Sequence, residues 1–354
     1  MFQSVVIGGG YATGRELVEF FFGAGPIGGL LGLLVAGAVF GLVSAIGFEL
    51  ARKFKAFDYR HFCKTILGRG WVLFEFFYFF QLLLVLSIIG SASGEIASQN
   101  FGVPSLVGTL ALLTLVGILT FKGTEVIKNV LAGWSILLYG VYILLFILAF
   151  SKFGNVITET YSTADIGEGW LKNGVLYTGY NLASLPLILY AVMSHENRKQ
   201  TYIAGLICGA ITVIPAMLFF IAMMGQYPQI GEQPVPATFL MAAMQVNWLN
   251  VIFQIIIFGT FVETGTAMIH AVNERLEGTF AEQGRHLPQI ARPAIAIGFL
   301  LMAVIAAETF GIISLIANGY GYITIAFIMV LIVPMLTVGV WKIIKKPDSV
   351  NVQE

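Results

Sequence analysis

Uncharged apolar runs follow one another almost from end to end of this chain, each near the twenty or so residues that a helix needs to cross about 30 Å of hydrocarbon. A water-soluble domain cannot be assembled from such runs, because they leave too few polar side chains to cover its surface. Apolar residues make up 58% of the 354, and charged residues only 11%, less than half the usual share of about 25%. Lipid removes the difficulty, and only structures that satisfy their own backbone hydrogen bonds can sit in it. The runs are helical in length, so the chain reads as an all-α polytopic membrane protein. Its formal net charge is +0, which gives no basic field to draw in nucleic acid. The expected partners are a small solute and the bilayer. Cys63 and Cys208 suggest no disulfide framework.

A hydropathy window of about nineteen residues marks about ten spans. They lie near 1–22, 26–50, 71–97, 104–121, 126–150, 173–193, 201–224, 237–272, 291–307 and 309–341. Basic residues fall in alternate connections: Arg52, Lys53, Lys55, Arg60, Lys64 and Arg69; Lys122 and Lys128; Arg198 and Lys199; Arg275, Arg285 and Arg292; Lys342, Lys345 and Lys346. The other connections are poor in Lys and Arg: 151–172 carries Glu159, Asp165 and Glu168, and 225–236 holds only Glu232. The positive-inside rule then puts both termini in the cytoplasm, in a multi-pass protein of the inner (cytoplasmic) membrane. Met1–Ile7 has no basic region ahead of it and is not expected to be a cleavable signal.

Residues 1–150 hold spans one to five, 151–346 hold spans six to ten, and 347–354 form a polar tail. Five spans per half force the halves to insert with opposite orientation, which is an inverted repeat. Each half opens on a span full of helix breakers: Ile7 to Gly14, with Gly8, Gly9 and Gly10 in succession, and Thr178 to Pro186, with Gly179 and Asn181. Each glycine costs a helix about 1 kcal/mol. Backbone groups freed there cannot face lipid and must line an enclosed cavity. The resumed half-helices are expected to start near Tyr11–Thr13 and Ala183–Leu185, aiming partial positive charge at an anionic group. Matched interruptions point to a midplane binding site, whose candidate residues are Gly8, Gly9, Gly10, Tyr11, Thr13, Gly179, Tyr180, Asn181 and Ser184. Gln81, with Ser87, is placed deep in span three to line the same pocket. The simpler alternative is that the glycines only permit close helix packing.

Gly8-Gly9-Gly10-Tyr11-Ala12-Thr13-Gly14-Arg15-Glu16, the Gly179-Tyr180-Asn181 break, and the run from Val262 through Glu263, Thr264 and His270 to Arg275 resemble the YkvI-like amino-acid permeases. That family is placed in the amino acid–polyamine–organocation superfamily, which has the LeuT fold, and the resemblance covers essentially the whole chain. It implies a 5+5 inverted repeat with helices 1 and 6 broken. It also implies a sodium site between the first broken helix and span eight, near Gly8, Thr260, Glu263 and Thr264. In one respect the chain departs from that fold, since only about seven residues precede the first break.

A carboxylate at the depth of Glu263 costs several kcal/mol unless protonated, paired or bound to a cation. It reads as an ion-coupling group, for a proton or sodium, or as the structural partner of a buried donor such as Arg15. Thr260 and Thr264 share its helix face. His270 lies two turns on and is either the second member of a relay or an interfacial side chain. Arg15 resembles the external-gate arginine of LeuT-like transporters; the alternative is an ion pair with Glu16 or Glu19. Glu49 and Arg52 form an inner gate or an anchoring pair. No cofactor is expected beyond the coupling ion. The four histidines, His61, His195, His270 and His286, do not cluster at metal-ligand spacing, and no nucleotide-binding motif is present. An enzyme is therefore the least favoured reading. The expected function is ion-coupled secondary transport of an amino acid or related small amine or zwitterion, with an uncoupled, channel-like facilitator as the alternative.

Overall fold

The computed structural model describes residues 8–122, 124–282 and 291–345. The expected first part of span one (residues 1–7), the turn carrying Arg285 and His286, and the tail 347–354 lie outside the described residues. In chain order the helices are α1 (Gly9–Thr13), α2 (Arg15–Phe21), α3 (Gly25–Phe54), α4 (Tyr59–Leu67), α5 (Trp71–Phe101), α6 (Ser105–Lys122) and α7 (Thr124–Ser162). They continue with α8 (Trp170–Leu182), α9 (Arg198–Met223), α10 (Pro236–Met244), α11 (Asn247–Glu282), α12 (Ala291–Ser314), α13 (Gly321–Phe327) and α14 (Val340–Lys345). Short 3₁₀ turns join several of them, and wider π-turns at Leu315–Tyr320, Ile328–Ile332 and Met335–Gly339 loosen the last stretch.

Among the described residues, six stretches are long and apolar enough to cross a membrane: Arg15–Phe54, Tyr59–Phe101, Leu137–Ser162, Arg198–Gln226, Trp248–His270 and Pro293–Lys345. The last, at 53 residues, would extend about 80 Å as one straight helix, far more than the bilayer. It divides at Gly311, whose φ of 69° and ψ of 163° are not helical. The expected boundary between spans nine and ten, near 308, therefore moves to Gly311. Arg15–Phe54 divides too, where the turn Phe22–Ala24 and Gly25 (φ 73°) reverse the chain. Span eight is corrected more substantially. Its expected start, 237–244, is the separate helix α10, cut off by Gln245 in the left-handed region (φ 55°).

The most extensive helix pair is α3 with α9. Gly37 and Gly41 face Gly205 and Gly209, two small-xxx-small motifs that let backbones touch. A Cβ on Gly209 would lie 2.7 Å from the Gly41 nitrogen, and one on Gly205 would lie 2.7 Å from the Ala45 Cβ. Inside α9, Pro215 has no N–H to give to the Ile211 carbonyl. The Tyr139 hydroxyl of α7 takes that place at 2.8 Å. Large apolar side chains such as Phe76, Phe80, Leu301, Ile305 and Met329 remain more than half exposed, as contact with lipid requires.

Charge sorts along the bundle. At one end Arg52 reaches the Glu196 carbonyl, Lys53 the Ile343 carbonyl and Lys342 the Thr65 carbonyl. At the other, Gly167 bonds to the Ala24 carbonyl and Ser105 to Glu308. This agrees with the division into basic and acidic connections, and it places the ends of the helices that frame the site.

Candidate functional site

Gly8 is extended (φ −105°, ψ −157°) and its carbonyl accepts the Ala12 amide at 2.9 Å, which starts the single turn of α1. Thr13 closes that turn, donating its hydroxyl to the Gly10 carbonyl at 2.8 Å. Gly14 then swings into the left-handed region (φ 81°), where an L side chain would be strained by about 1–2 kcal/mol. The helix resumes at Arg15, later than the expected Tyr11–Thr13. In the second half α8 stays helical through Gly179, Tyr180 and Asn181 and ends at Leu182. Tight turns follow, with Ala183 bonding back to Tyr180 and Ser184 to Asn181, and Pro186 sits in the next 3₁₀ turn. Both interruptions exist, each a few residues downstream of its glycines.

A small enclosed hollow lies between them, lined by Gly8, Gln81, Tyr180, Asn181, Ser184 and Thr264, together with Glu16, Val85, Met268 and Tyr320. Its total empty volume is ≈ 310 Å³, but a water centre has only ≈ 20 Å³ to move in, room for about one molecule. Glu16, 2% exposed, is the only acidic side chain among the described residues that line it. The Tyr180 hydroxyl donates to Glu16 Oε2 at 2.5 Å, and the Tyr320 hydroxyl and Tyr11 amide lie near the same carboxyl. The Tyr180 and Tyr320 rings stack with centroids 3.9 Å apart. The carboxyl folds back over Gly10, where a Cβ would meet Glu16 Cγ at 2.6 Å and Cδ at 2.8 Å. Gln81 of α5 gives its Nε2 to the Tyr180 carbonyl at 2.8 Å. Its Oε1 is buried without a partner, as is Thr264 Oγ1.

Six expected site residues thus meet at the hollow. Others do not. The Tyr11 side chain turns away, its hydroxyl on the Thr212 carbonyl at 3.1 Å, and Thr13 is spent on its own turn. Gly179 packs against α13, where a Cβ would stand 2.8 Å from the Thr324 carbonyl oxygen. Ser87 faces a groove on the lipid side with Phe80 and Phe310. On α11, Gly259 lies flush against the Trp134 ring and Thr260 bonds to the Ile256 carbonyl. Glu263 is buried (7% exposed) next to Thr264 but does not line the hollow. His270 is half-buried and also stands apart from it. Glu49 is fully buried and takes a two-pronged pair from Arg52 (2.9 and 2.8 Å) and the Thr201 hydroxyl at 2.8 Å, clamping α3 to α9. Arg15 pairs with Glu19 at 3.3 Å, not with Glu16, and reaches the Gly231 and Gln233 carbonyls at 2.8 and 3.1 Å. It fastens the 229–233 segment over this end of the site. Arg275, placed by its charge in a basic connection, is buried between the Tyr78 and Tyr59 rings beside Glu75.

Sequence reasoning misses Glu16. It offers that residue only as a partner for Arg15, although a carboxylate six residues beyond a glycine in a broken span has somewhere to fold back to.

No family model matches the chain. A Bacillus subtilis (strain 168) protein described as "Uncharacterized membrane protein YkvI" is 22% identical over 333 residues, 93% of this chain and 92% of its own. Two crystal structures of mutants of the Eremococcus coleocola manganese transporter superpose with a TM-score of 0.55 at 13% identity, over 95% of this chain and 76% of theirs. The chain shares the fold of those structures. At that identity the likeness concerns architecture alone, and it agrees with a polytopic helical membrane protein.

Proposed function

We propose that this protein is a secondary active transporter of a small amine-bearing solute, in the class of amino acids and related amines. It works by alternating access in the cytoplasmic membrane, with ten spans in two inverted halves and both termini in the cytoplasm. The observation that carries this reading is the hollow, where two interrupted helices and α5, α11 and Tyr320 enclose one buried carboxylate and unpartnered polar atoms. Such a place is costly to build, so it is expected where a solute is held. Transporter structures at comparable coverage support the same class. Coupling to a proton or sodium is assigned to Glu263, whose neighbours Thr264 and Thr266 both keep buried hydroxyls without partners.

Purified protein in proteoliposomes, given imposed pH and sodium gradients and a panel of labelled amino acids and amines, tests this. Uphill accumulation driven by one gradient is expected, and Glu263→Gln should abolish it while counterflow persists. Flux that ignores both gradients would favour the uncoupled facilitator. No flux of any solute would refute transport.

A further inference from the structure

If the hollow is a transporter's cargo site, its chemistry narrows the kind of cargo. Donors and acceptors there are unequally spent. Two donors that could receive a cargo carboxylate are already used internally, the Tyr180 hydroxyl on Glu16 and Gln81 Nε2 on the Tyr180 carbonyl. Asn181 Nδ2 likewise donates to the Tyr177 carbonyl at 2.9 Å. Among the polar atoms left over, Gln81 Oε1 accepts only, the Glu16 carboxyl keeps capacity to accept, and the Thr264 hydroxyl, which can accept or donate, has no partner; the Gln81 and Thr264 side chains are only 3% and 2% exposed. Among the described residues no Lys, Arg or His lines the space, and neighbouring Arg15 is committed to loop carbonyls. Glu16 occupies the place a cargo's own carboxylate would need.

A buried acceptor set with a single carboxylate matches one positive charge bearing several N–H donors. A divalent metal would be left under-compensated, and no group of three or more His, Cys, Asp or Glu occurs among the described residues. Val85 and Met268 supply an apolar wall, and room for about one water-sized molecule limits a carbon stem to a methyl group or little more. We propose that the Glu16 hollow binds a small primary ammonium ion that carries no carboxylate, its N–H groups directed at Glu16, Gln81 Oε1 and Thr264 Oγ1.

The test is displacement of labelled methylammonium from the full-length protein in nanodiscs by ethylammonium, glycine, acetate and manganese chloride. Ethylammonium should compete, and glycine and acetate should be weaker by about tenfold or more, the value of one charge-assisted contact. Glu16→Gln should lose a similar factor, and Gln81→Leu and Thr264→Val each a smaller one, in protein that stays monodisperse. Because Glu16→Gln could misfold, the milder pair keeps the idea open to refutation. Equal competition by glycine, displacement by manganese alone, no saturable methylammonium binding, or unchanged affinity in folded Glu16→Gln would each overturn it. Accumulation of labelled amino acids without ammonium binding would leave the transport reading standing and remove this one. Glu16-dependent binding without flux of any solute would do the reverse.

Discussion

At the first interruption Gly10 leaves a space that the Glu16 carboxyl fills, whereas at the second Gly179 leaves a space that the backbone of α13 fills. The first break is followed by both charged groups of the site region, Arg15 and Glu16. The second supplies neutral walls, Tyr180, Asn181 and Ser184. Missing side chains thus serve two ends, room for a functional group and room for a neighbouring helix. The neighbour within 4 Å decides which.

Substitutions can break this contrast. Gly10→Ala should be the most damaging to binding. Its Cβ would occupy the position of the Glu16 side chain, and expelling a charge-assisted acceptor worth roughly 1.5–3 kcal/mol should weaken methylammonium by about tenfold or more. Unaltered affinity in that variant would show that the carboxyl does not need its resting place. Gly179→Ala comes next, and its effect should fall on stability: overpacking against Thr324 costs about 1–3 kcal/mol and should lower Tm with little change in affinity. A loss of binding at full thermostability would erase the distinction between the two breaks. Arg15→Gln should do least. It removes two charge-assisted carbonyl contacts, so amide exchange in residues 229–233 should accelerate while methylammonium affinity stays within a few-fold.

A polytopic helical membrane fold is legible in the sequence because lipid imposes a simple rule on length and polarity, and the charge sorting of Arg52, Lys53 and Lys342 survives in the folded chain. Helix limits are less so. Gln245 and Gly311 end helices through backbone conformation, which hydropathy does not register. Within the site, Gln81, Asn181, Ser184 and Thr264 stand out because polar groups at membrane depth are conspicuous. Tyr11 misleads because a tyrosine beside a break can point either way, and here Pro215 disturbs the neighbouring helix where the Thr212 carbonyl receives its hydroxyl. Glu16 escapes because its partner is a glycine six residues earlier, a spacing that no regular helix brings together and that only the left-handed turn at Gly14 allows.

The seven residues of α2 hold Arg15 and Glu16 on consecutive positions, about 100° apart around the axis. One points at the covering loop and the other into the hollow. So short a rod, bounded by Gly14 and the reversal at 22–24, must turn as a unit. A group that loads its anionic side is therefore expected to pull on the fastening at its cationic side, one peptide bond away.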